Sequence, residues 1–214
     1  MYKIIGKRLM DFVLSVIGLL ILCIPMLIIA IAIKMESKGP VFFRQKRIGK
    51  NGRIFTIFKF RTMVVGAYEM GGIVTSSDDT RITKVGAVLR RTSLDELPQM
   101  FNILRGEMSI IGPRPILPEE FEPYKKSKEI CKRNTVLPGM FCTIDVIDRA
   151  PERDFQMQMD ADYAKNVNFI TDIKTFLGVI SVVVSGKNVY KEEKRDQFLN
   201  ASHKKASKEG FSDK

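Results

Sequence analysis

An unbroken apolar run from Phe12 to Ile33 has Pro25 near its middle and basic residues crowding both ends, and it limits what this chain can fold into more than any other feature. As a straight helix the run extends roughly 33 Å at about 1.5 Å per residue, enough to cross a hydrocarbon core about 30 Å thick. Lys3, Lys7 and Arg8 precede it, and Lys34, Lys38, Arg44, Lys46 and Arg47 follow. Cationic flanks favour the cytoplasmic side of a membrane, and here both flanks are cationic. A helix that crosses once cannot meet that preference at both ends, whereas one that dips in, bends and returns can. Pro25 removes a backbone hydrogen bond and crowds the preceding turn where such a bend would sit. A single-pass anchor with a tolerated proline is the other reading, and charge and proline leave both open. No small-residue cleavage site follows the run, which argues against a cleaved signal peptide.

The remainder, Met35 to Lys214, is long enough for one globular domain with its own core and too short for two comfortable ones. Lysine and arginine total 35 against 24 acidic residues, a net charge of +11. Beside a membrane segment, the economical partners for that charge are anionic lipid head groups or a phosphate-bearing substrate. Nucleic acid is the alternative. Against it, the chain has no tryptophan and no nucleic-acid motif, and its basic residues are scattered rather than striped. Cys23, Cys131 and Cys142 lack CxxC spacing and read as reduced thiols in a cytosolic setting. The single histidine, His203, lies in a polar tail. Most histidine-based catalysis and His-rich metal sites are thereby excluded, leaving carboxylates, Lys/Arg and backbone to carry any chemistry.

Gly39-Pro40 breaks the chain after the apolar run. Val41–Phe43 and Ile54–Phe60 read as strands joined at Gly49–Gly52, with Ile54, Thr56, Phe58 and Phe60 alternating. Tyr68–Thr80 is rich in Gly, Ser and Asp and reads as a mobile loop. Ile82–Arg91 contains a short helix. Ser93–Arg105 is a second helix, ended by Gly106, and Ile111–Pro118 is a proline-punctuated loop. A charged helix is expected from Glu119 to about Arg133, and Pro138-Gly139 marks a turn. Phe155–Lys165 and Phe169–Val184 complete the helices. The last carries Phe169, Ile170, Ile173, Phe176, Leu177, Ile180, Val183 and Val184 on one stripe. It reads first as a core helix, with a helix lying on lipid as the alternative. From Lys187 the chain is polar and charged, a tail expected to be disordered. The fold class is therefore α+β: a helix-rich single domain with a small β-hairpin, anchored by the N-terminal helix. Residues 1–35 form the membrane element, 36–186 the folded domain and 187–214 the tail.

The chemistry concentrates in Arg90-Arg91-Thr92-Ser93-Leu94-Asp95-Glu96-Leu97-Pro98-Gln99. Pro98 suits a first helical turn, which would place Asp95 and Glu96 where exposed N–H groups favour anions. Ser93-x-x-Glu96 also matches a capping box, so a purely structural reading stands beside the functional one. In the functional reading the pair holds Mg2+ for phosphoryl chemistry, with nearby arginines suited to a diphosphate. Gly112-Pro113-Arg114-Pro115 holds one arginine between two prolines, a rigid turn or a phosphate clamp. Alternation through Lys59-Phe60-Arg61-Thr62-Met63 puts Lys59 and Arg61 on one face, a solvated strand edge or part of a phosphate-binding surface.

These segments occur in a fixed order: a basic flank and kinked apolar run, then Gly39-Pro40-Val41-Phe42-Phe43-x-Gln45, Lys59-Phe60-Arg61-Thr62-Met63, Arg81-Ile82-Thr83-x-x-Gly86, Ser93-Leu94-Asp95-Glu96-Leu97-Pro98-Gln99, Asn102-x-Leu104-x-Gly106-x-Met108-Ser109 and Gly112-Pro113-Arg114-Pro115. Together they resemble the bacterial sugar transferase family, the monotopic polyprenyl-phosphate phosphoglycosyl transferases, from about Lys7 to Val184. That resemblance implies transfer of a sugar 1-phosphate from a UDP-sugar to a polyprenyl phosphate such as undecaprenyl phosphate, with release of UMP. It implies a re-entrant membrane helix with both ends cytoplasmic, at a bacterial inner membrane, and the first membrane step of glycan assembly.

By the same resemblance Asp95 is the nucleophile, forming a phosphoglycosyl-aspartate. Glu96 orients Asp95 or joins the Mg2+ shell, and Arg90 and Arg114 bind phosphate. Lys59 and Arg61 belong to the same surface, and Arg149 matches a family arginine. The chain departs from the family pattern at Ile24-Pro25, where a Ser-Pro pair is common. It departs again in Met140–Asp148, where many members carry Thr-Gly-x-Ala-Gln, so the sugar is left open, as is a homo-oligomer. The rival from another class is a membrane-tethered UDP-sugar-binding or scaffolding protein without turnover.

Overall fold

The computed structural model describes residues 2–71, 79–147 and 151–185. Helix α1 (Lys7–Glu36) follows a wider helical turn at Tyr2–Gly6 and continues as helix through Pro25. Thirty residues make it about 45 Å long, and among the described residues it is the one helix long and apolar enough to cross a membrane. One side of it is bare: Leu9, Leu20, Ile21, Ile24, Leu27 and Ile28 are exposed. The other side enters the main core, where Met26 and Ile33 pack with Phe55, Ile57, Phe60, Leu89, Ile103 and Ile111.

Both ends of α1 are tied to the same folded body. At its start Lys7 Nζ donates to Asp172 Oδ2 at 2.5 Å, Arg8 donates to the Ile103 and Leu104 carbonyls at 2.5 and 3.0 Å, and Asp11 Oδ1 accepts the Ile110 N–H at 3.0 Å. At its end Glu36 accepts the Lys84 and Val85 N–H groups at 2.6 and 2.9 Å. Arg61 donates to the Ser37 and Lys38 carbonyls at 2.8 and 2.6 Å, which satisfies carbonyls that a helix C-terminus otherwise leaves orphaned.

The hairpin forms as expected. Strands β1 (Phe42–Ile48) and β2 (Ile54–Phe60) pair antiparallel, Phe42 opposite Phe60 and Ile48 opposite Ile54, around a tight turn at Lys50–Gly52. Its faces differ from the expected alternation. Phe55 and Ile57 form an inner face against the core while Ile54 and Thr56 are exposed, and only at the end of β2 is the other face covered too, where Phe60 is buried. Lys59 and Arg61 continue that inner face. The free edge of β2 is met by Asn102, which accepts the Phe58 N–H at 3.0 Å and donates to the Thr56 carbonyl at 2.7 Å.

Helix α2 (Ala67–Gly71) occupies the start of the segment expected as loop, and residues 72–78 of that segment lie outside the described ones. Then come α3 (Lys84–Thr92), α4 (Gln99–Arg105) and β3 (Ser109–Ile111). Gly106 ends α4 with φ 79°, as its position in the sequence implies. The expected charged helix from Glu119 is instead two short ones, α5 (Pro118–Phe121) and α6 (Lys128–Cys131). Pro123 cannot donate within a longer helix, and Ser127 starts α6 by accepting the Ile130 N–H. Pro138-Gly139 leads into a strand rather than a turn: β4 (Gly139–Phe141) pairs parallel to β3, Ser109 opposite Gly139. The two backbones approach so closely that a Cβ on Gly139 would lie 2.1 Å from Gly112 N. Helices α7 (Arg153–Lys165) and α8 (Phe169–Ser185) complete the domain. Phe169, Ile170, Leu177 and Ile180 are exposed while Asp172, Thr175 and Val179 face inward, so the α8 stripe does not form a core helix. The expected tail lies outside the described residues, as do the side chains of Val183 and Val184.

Candidate active site

Helix α3 determines where the acidic pair sits. All four N–H groups of its first turn are satisfied: Lys84 and Val85 by Glu36, Gly86 by Thr83 Oγ1 at 2.9 Å, and Ala87 by the Thr83 carbonyl at 2.8 Å. Gly86 has no Cβ because one would stand 2.0 Å from the Thr62 carbonyl oxygen, so α3 lies directly on the end of β2. One turn on, Arg90 Nε donates to Thr62 Oγ1 at 3.0 Å. Ser93 then takes a left-handed conformation, φ 58°, and stops α3, its N–H returning to the Arg90 and Leu89 carbonyls. A non-glycine residue in this region costs energy, and such strain concentrates at functional sites.

The sequence is corrected here. Ser93 makes no side-chain capping bond, and Asp95 and Glu96 occupy a separate single turn, Leu94–Glu96, ahead of α4. The capping-box reading fails because Ser93 is already used to end the preceding helix. Pro98 flanks α4 as its N-cap instead of opening a helix at Ser93.

The turn delivers both carboxylates to one cavity of about 1000 Å³. Lys59, Arg61, Arg90, Asp95, Glu96 and Arg114 all line it, although they come from four separate stretches of chain. Phe42, Phe60, Val65, Val179 and Val182 supply an apolar wall. Lys59 Nζ donates to Glu96 Oε1 at 2.7 Å. Burial alone would raise Glu96, but Lys59 and Arg114, with hydrogen bonds from Lys59 and Gln99, outweigh it and hold the carboxyl below its ordinary value. Asp95 goes the other way. Burial raises its pKa, Lys59 and Arg90 pull against the rise, and the neighbouring Glu96 adds to it. Two adjacent carboxyls therefore differ: the cations around Glu96 favour its ionised form, while burial makes Asp95 the more basic of the two.

Arg114 reaches the cavity from the loop after β3, its guanidinium 2.9 Å from Asp145. Arg61 lines the same space, but its guanidinium nitrogens Nη1 and Nη2 serve the C-terminus of α1, which makes it first a helix cap. Arg149 lies outside the described residues. Pro25 is exposed on α1, within the apolar helix. The structure also adds groups that sequence reasoning missed. Arg47 lines the cavity and donates to the Pro115 carbonyl at 3.2 Å, Thr62 holds Arg90, and Asp145 holds Arg114. Asp145 alone carried a visible signal, an acid between the aliphatic Ile144 and Val146.

The donor set suits Mg2+. Asp95 and Glu96 would offer hard carboxylate oxygens, of the kind this ion takes from one or two protein side chains when phosphates complete its shell. Among the described residues no group of three or more His, Cys, Asp or Glu side chains is gathered.

A family model described as bacterial sugar transferase matches residues 2–186. A UDP-glucose:undecaprenyl-phosphate glucose-1-phosphate transferase of Xanthomonas campestris pv. campestris is 40% identical over 198 residues, 88% of this chain and 41% of that protein. A UDP-N-acetylgalactosamine-undecaprenyl-phosphate N-acetylgalactosaminephosphotransferase of Aeromonas hydrophila is 35% identical over 187 residues, 84% of this chain and 44% of that protein. An exopolysaccharide production protein of Rhizobium leguminosarum bv. phaseoli is 35% identical over 85% of this chain and 96% of its own length. The chain thus spans about two fifths of several longer relatives and nearly all of a shorter one.

Proposed function

The chain belongs to the bacterial sugar transferase family, and from that footing we propose that it moves a sugar 1-phosphate from a UDP-sugar to a polyprenyl phosphate, releasing UMP. The observation that carries this reading is the cavity itself. It gathers Lys59, Arg90, Asp95, Glu96 and Arg114 against an apolar wall, in a body whose α1 and α8 bare apolar faces. Cations for a diphosphate, a basic carboxylate and an apolar wall for a prenyl chain are what the two substrates demand.

In the first half-reaction an Asp95 carboxylate oxygen attacks the phosphorus that bears the sugar. The new bond joins that phosphorus to Asp95, the bond to the bridging oxygen breaks, and UMP departs with the electron pair. In the second, a polyprenyl phosphate oxygen attacks the same phosphorus and Asp95 leaves as carboxylate, yielding the polyprenyl diphosphosugar. Both nucleophiles are anions, so neither step needs a general base, which suits a site without histidine. Arg114 and Arg90 face the phosphates, and Lys59 holds Glu96 beside Asp95. Mg2+ at Asp95 and Glu96 would neutralise the diphosphate as charge builds on the leaving UMP.

The ties at both ends of α1 support a helix that enters the membrane from the cytoplasmic face and returns to it, with α8 lying on the lipid beside it. Tyr2 joins the two helices, its ring edge-on to Phe169 and its hydroxyl donating to Asp172 at 2.5 Å. The test is UMP release by purified protein in nanodiscs with Mg2+, undecaprenyl phosphate and a panel of UDP-sugars. Release with one donor and none from Asp95→Asn is expected. Release from no donor by folded protein would overturn the assignment in favour of a binding or scaffolding role.

A further inference from the structure

One acid in the cavity has no part in this scheme. Asp145 Oδ1 accepts from Arg114 Nη1 at 2.9 Å, and Asp145 Oδ2 accepts the Cys142 N–H at 2.8 Å. Both side chains line the cavity, Asp145 15% exposed and Arg114 37%. The main chain of Arg114 is fixed by other groups. Its N–H donates to Asp160 Oδ1 at 3.2 Å and its carbonyl accepts from Arg133 Nη2 at 2.5 Å. Arg133 and Asp160 in turn pair with each other at 2.9 Å, each 1% exposed. Asp145 is therefore not needed to hold the loop. One of its oxygens caps the turn that begins at Cys142, and the other is directed to the guanidinium.

A guanidinium reads carboxylate and phosphate through the same planar fork, so Asp145 and a substrate phosphate are rivals for Arg114. We propose that Asp145 is a placeholder for phosphate: it holds Arg114 while no phosphate is bound, yields it to the donor's diphosphate, and takes it back as UMP leaves. This rests on the transferase reading above. Asp145 is the main group holding the Arg114 guanidinium charged, yet that guanidinium stays 37% exposed to the cavity while paired, so a phosphate entering the cavity can reach it. The use of such a device follows from the two half-reactions. Donor and acceptor both bring a phosphate to one cavity, and the nucleotide must leave before the lipid phosphate can meet Arg114. A carboxylate that recaptures the guanidinium lowers the hold on UMP at that moment.

Asp145 is thus a positioning residue, and its removal has an unusual sign. A lost structural support weakens ligand binding and raises KM. Removal of a rival anion strengthens binding, by about tenfold for one charge in a partly exposed site. UMP binding is measured by calorimetry on the full chain in nanodiscs with Mg2+, for wild type, Asp145→Asn, Asp145→Ala, Arg114→Gln and the Asp145→Asn/Arg114→Gln double variant. Asparagine keeps one of the two hydrogen bonds and alanine keeps neither, so agreement between them isolates the charge. Expected are an approximately tenfold lower Kd for UMP in both Asp145 variants, a lower donor KM and kcat as UMP release becomes slow, and no tightening on the Arg114→Gln background. UMP affinity that is unchanged or weaker in both Asp145 variants overturns the proposal, as does equal tightening without Arg114. Unfolding of both variants assigns Asp145 to the fold and overturns it too. A wild type that binds no UMP and turns over no UDP-sugar refutes the transferase reading instead, which keeps the two failures distinct.

Discussion

Ser93 and the two carboxyls after it contain most of what the site can do. The left-handed Ser93 halts α3 and turns the chain so that Asp95 and Glu96 meet Lys59 across the cavity rim. The sequence marked that pair as a candidate site, and the structure places it in the cavity, but its local geometry was not legible. The Ser-x-x-Glu spacing mimics a capping box, and only the preceding helix, by using Ser93 as its own stop, decides against it. The opposed shifts of the two carboxyls give a pH prediction. Asp95 must be ionised to attack, and its pKa is raised, so kcat/KM should fall on acidification at a pH above the ordinary aspartate range of about 3.9. Glu96, held low, stays ionised through that limb. Lys59 pulls the Asp95 pKa down, so Lys59→Met should move the acid limb to higher pH and lower kcat/KM by about 10- to 100-fold. A pH–rate profile checks both, and a limb that stays in place in Lys59→Met would contradict the assignment of Asp95 as the titrating group.

At the scale of elements, the site depends on two places where backbones touch. Gly86 lets α3 lie on Thr62, and the Gly112–Gly139 contact lets β4 run beside β3, the strand that leads to Arg114. In the sequence Gly139 reads as a turn signal, and that inference was wrong. A glycine required for close approach looks the same in sequence as one required for a turn, and only the partner strand tells them apart. Gly139→Ala should destabilise the fold by about 2–4 kcal/mol, since a Cβ there would meet backbone that cannot move aside. Chemical denaturation measures this, and a variant as stable as wild type would show that the two strands can separate freely. The α8 stripe was misread for a related reason. Helical periodicity reports that one face is apolar, and it is silent on whether that face meets protein or lipid. The breakdown of Glu119–Arg133 into α5 and α6, by contrast, was signalled by Pro123 and by Ser127.

The whole molecule turns on α1, whose two ends return to one body. Lys7 with Asp172, Arg8 with the end of α4, and Asp11 with β3 hold its start, while Glu36 and Arg61 hold its finish. Those bonds hold both ends to one body, which supports the proposed re-entrant course of α1. The doubled basic flanks suggested a returning helix beside a single-pass one, but the buried acids Asp11 and Asp172 and the cap at Glu36 were invisible in the sequence, because each finds its partner far along the chain. Cysteines placed at Lys3 and at Lys38 should both react with an impermeant reagent from the cytoplasmic side and neither from the outside. Labelling of one from outside would contradict the two-ended tie. The most direct test of the central claim is intact-mass spectrometry of the protein incubated with its UDP-sugar and Mg2+ but no acceptor. A covalent gain of one sugar phosphate is expected, absent from Asp95→Asn and removed on adding undecaprenyl phosphate. Full turnover with no such adduct, or an adduct that survives in Asp95→Asn, would contradict a phosphoglycosyl transfer carried by Asp95.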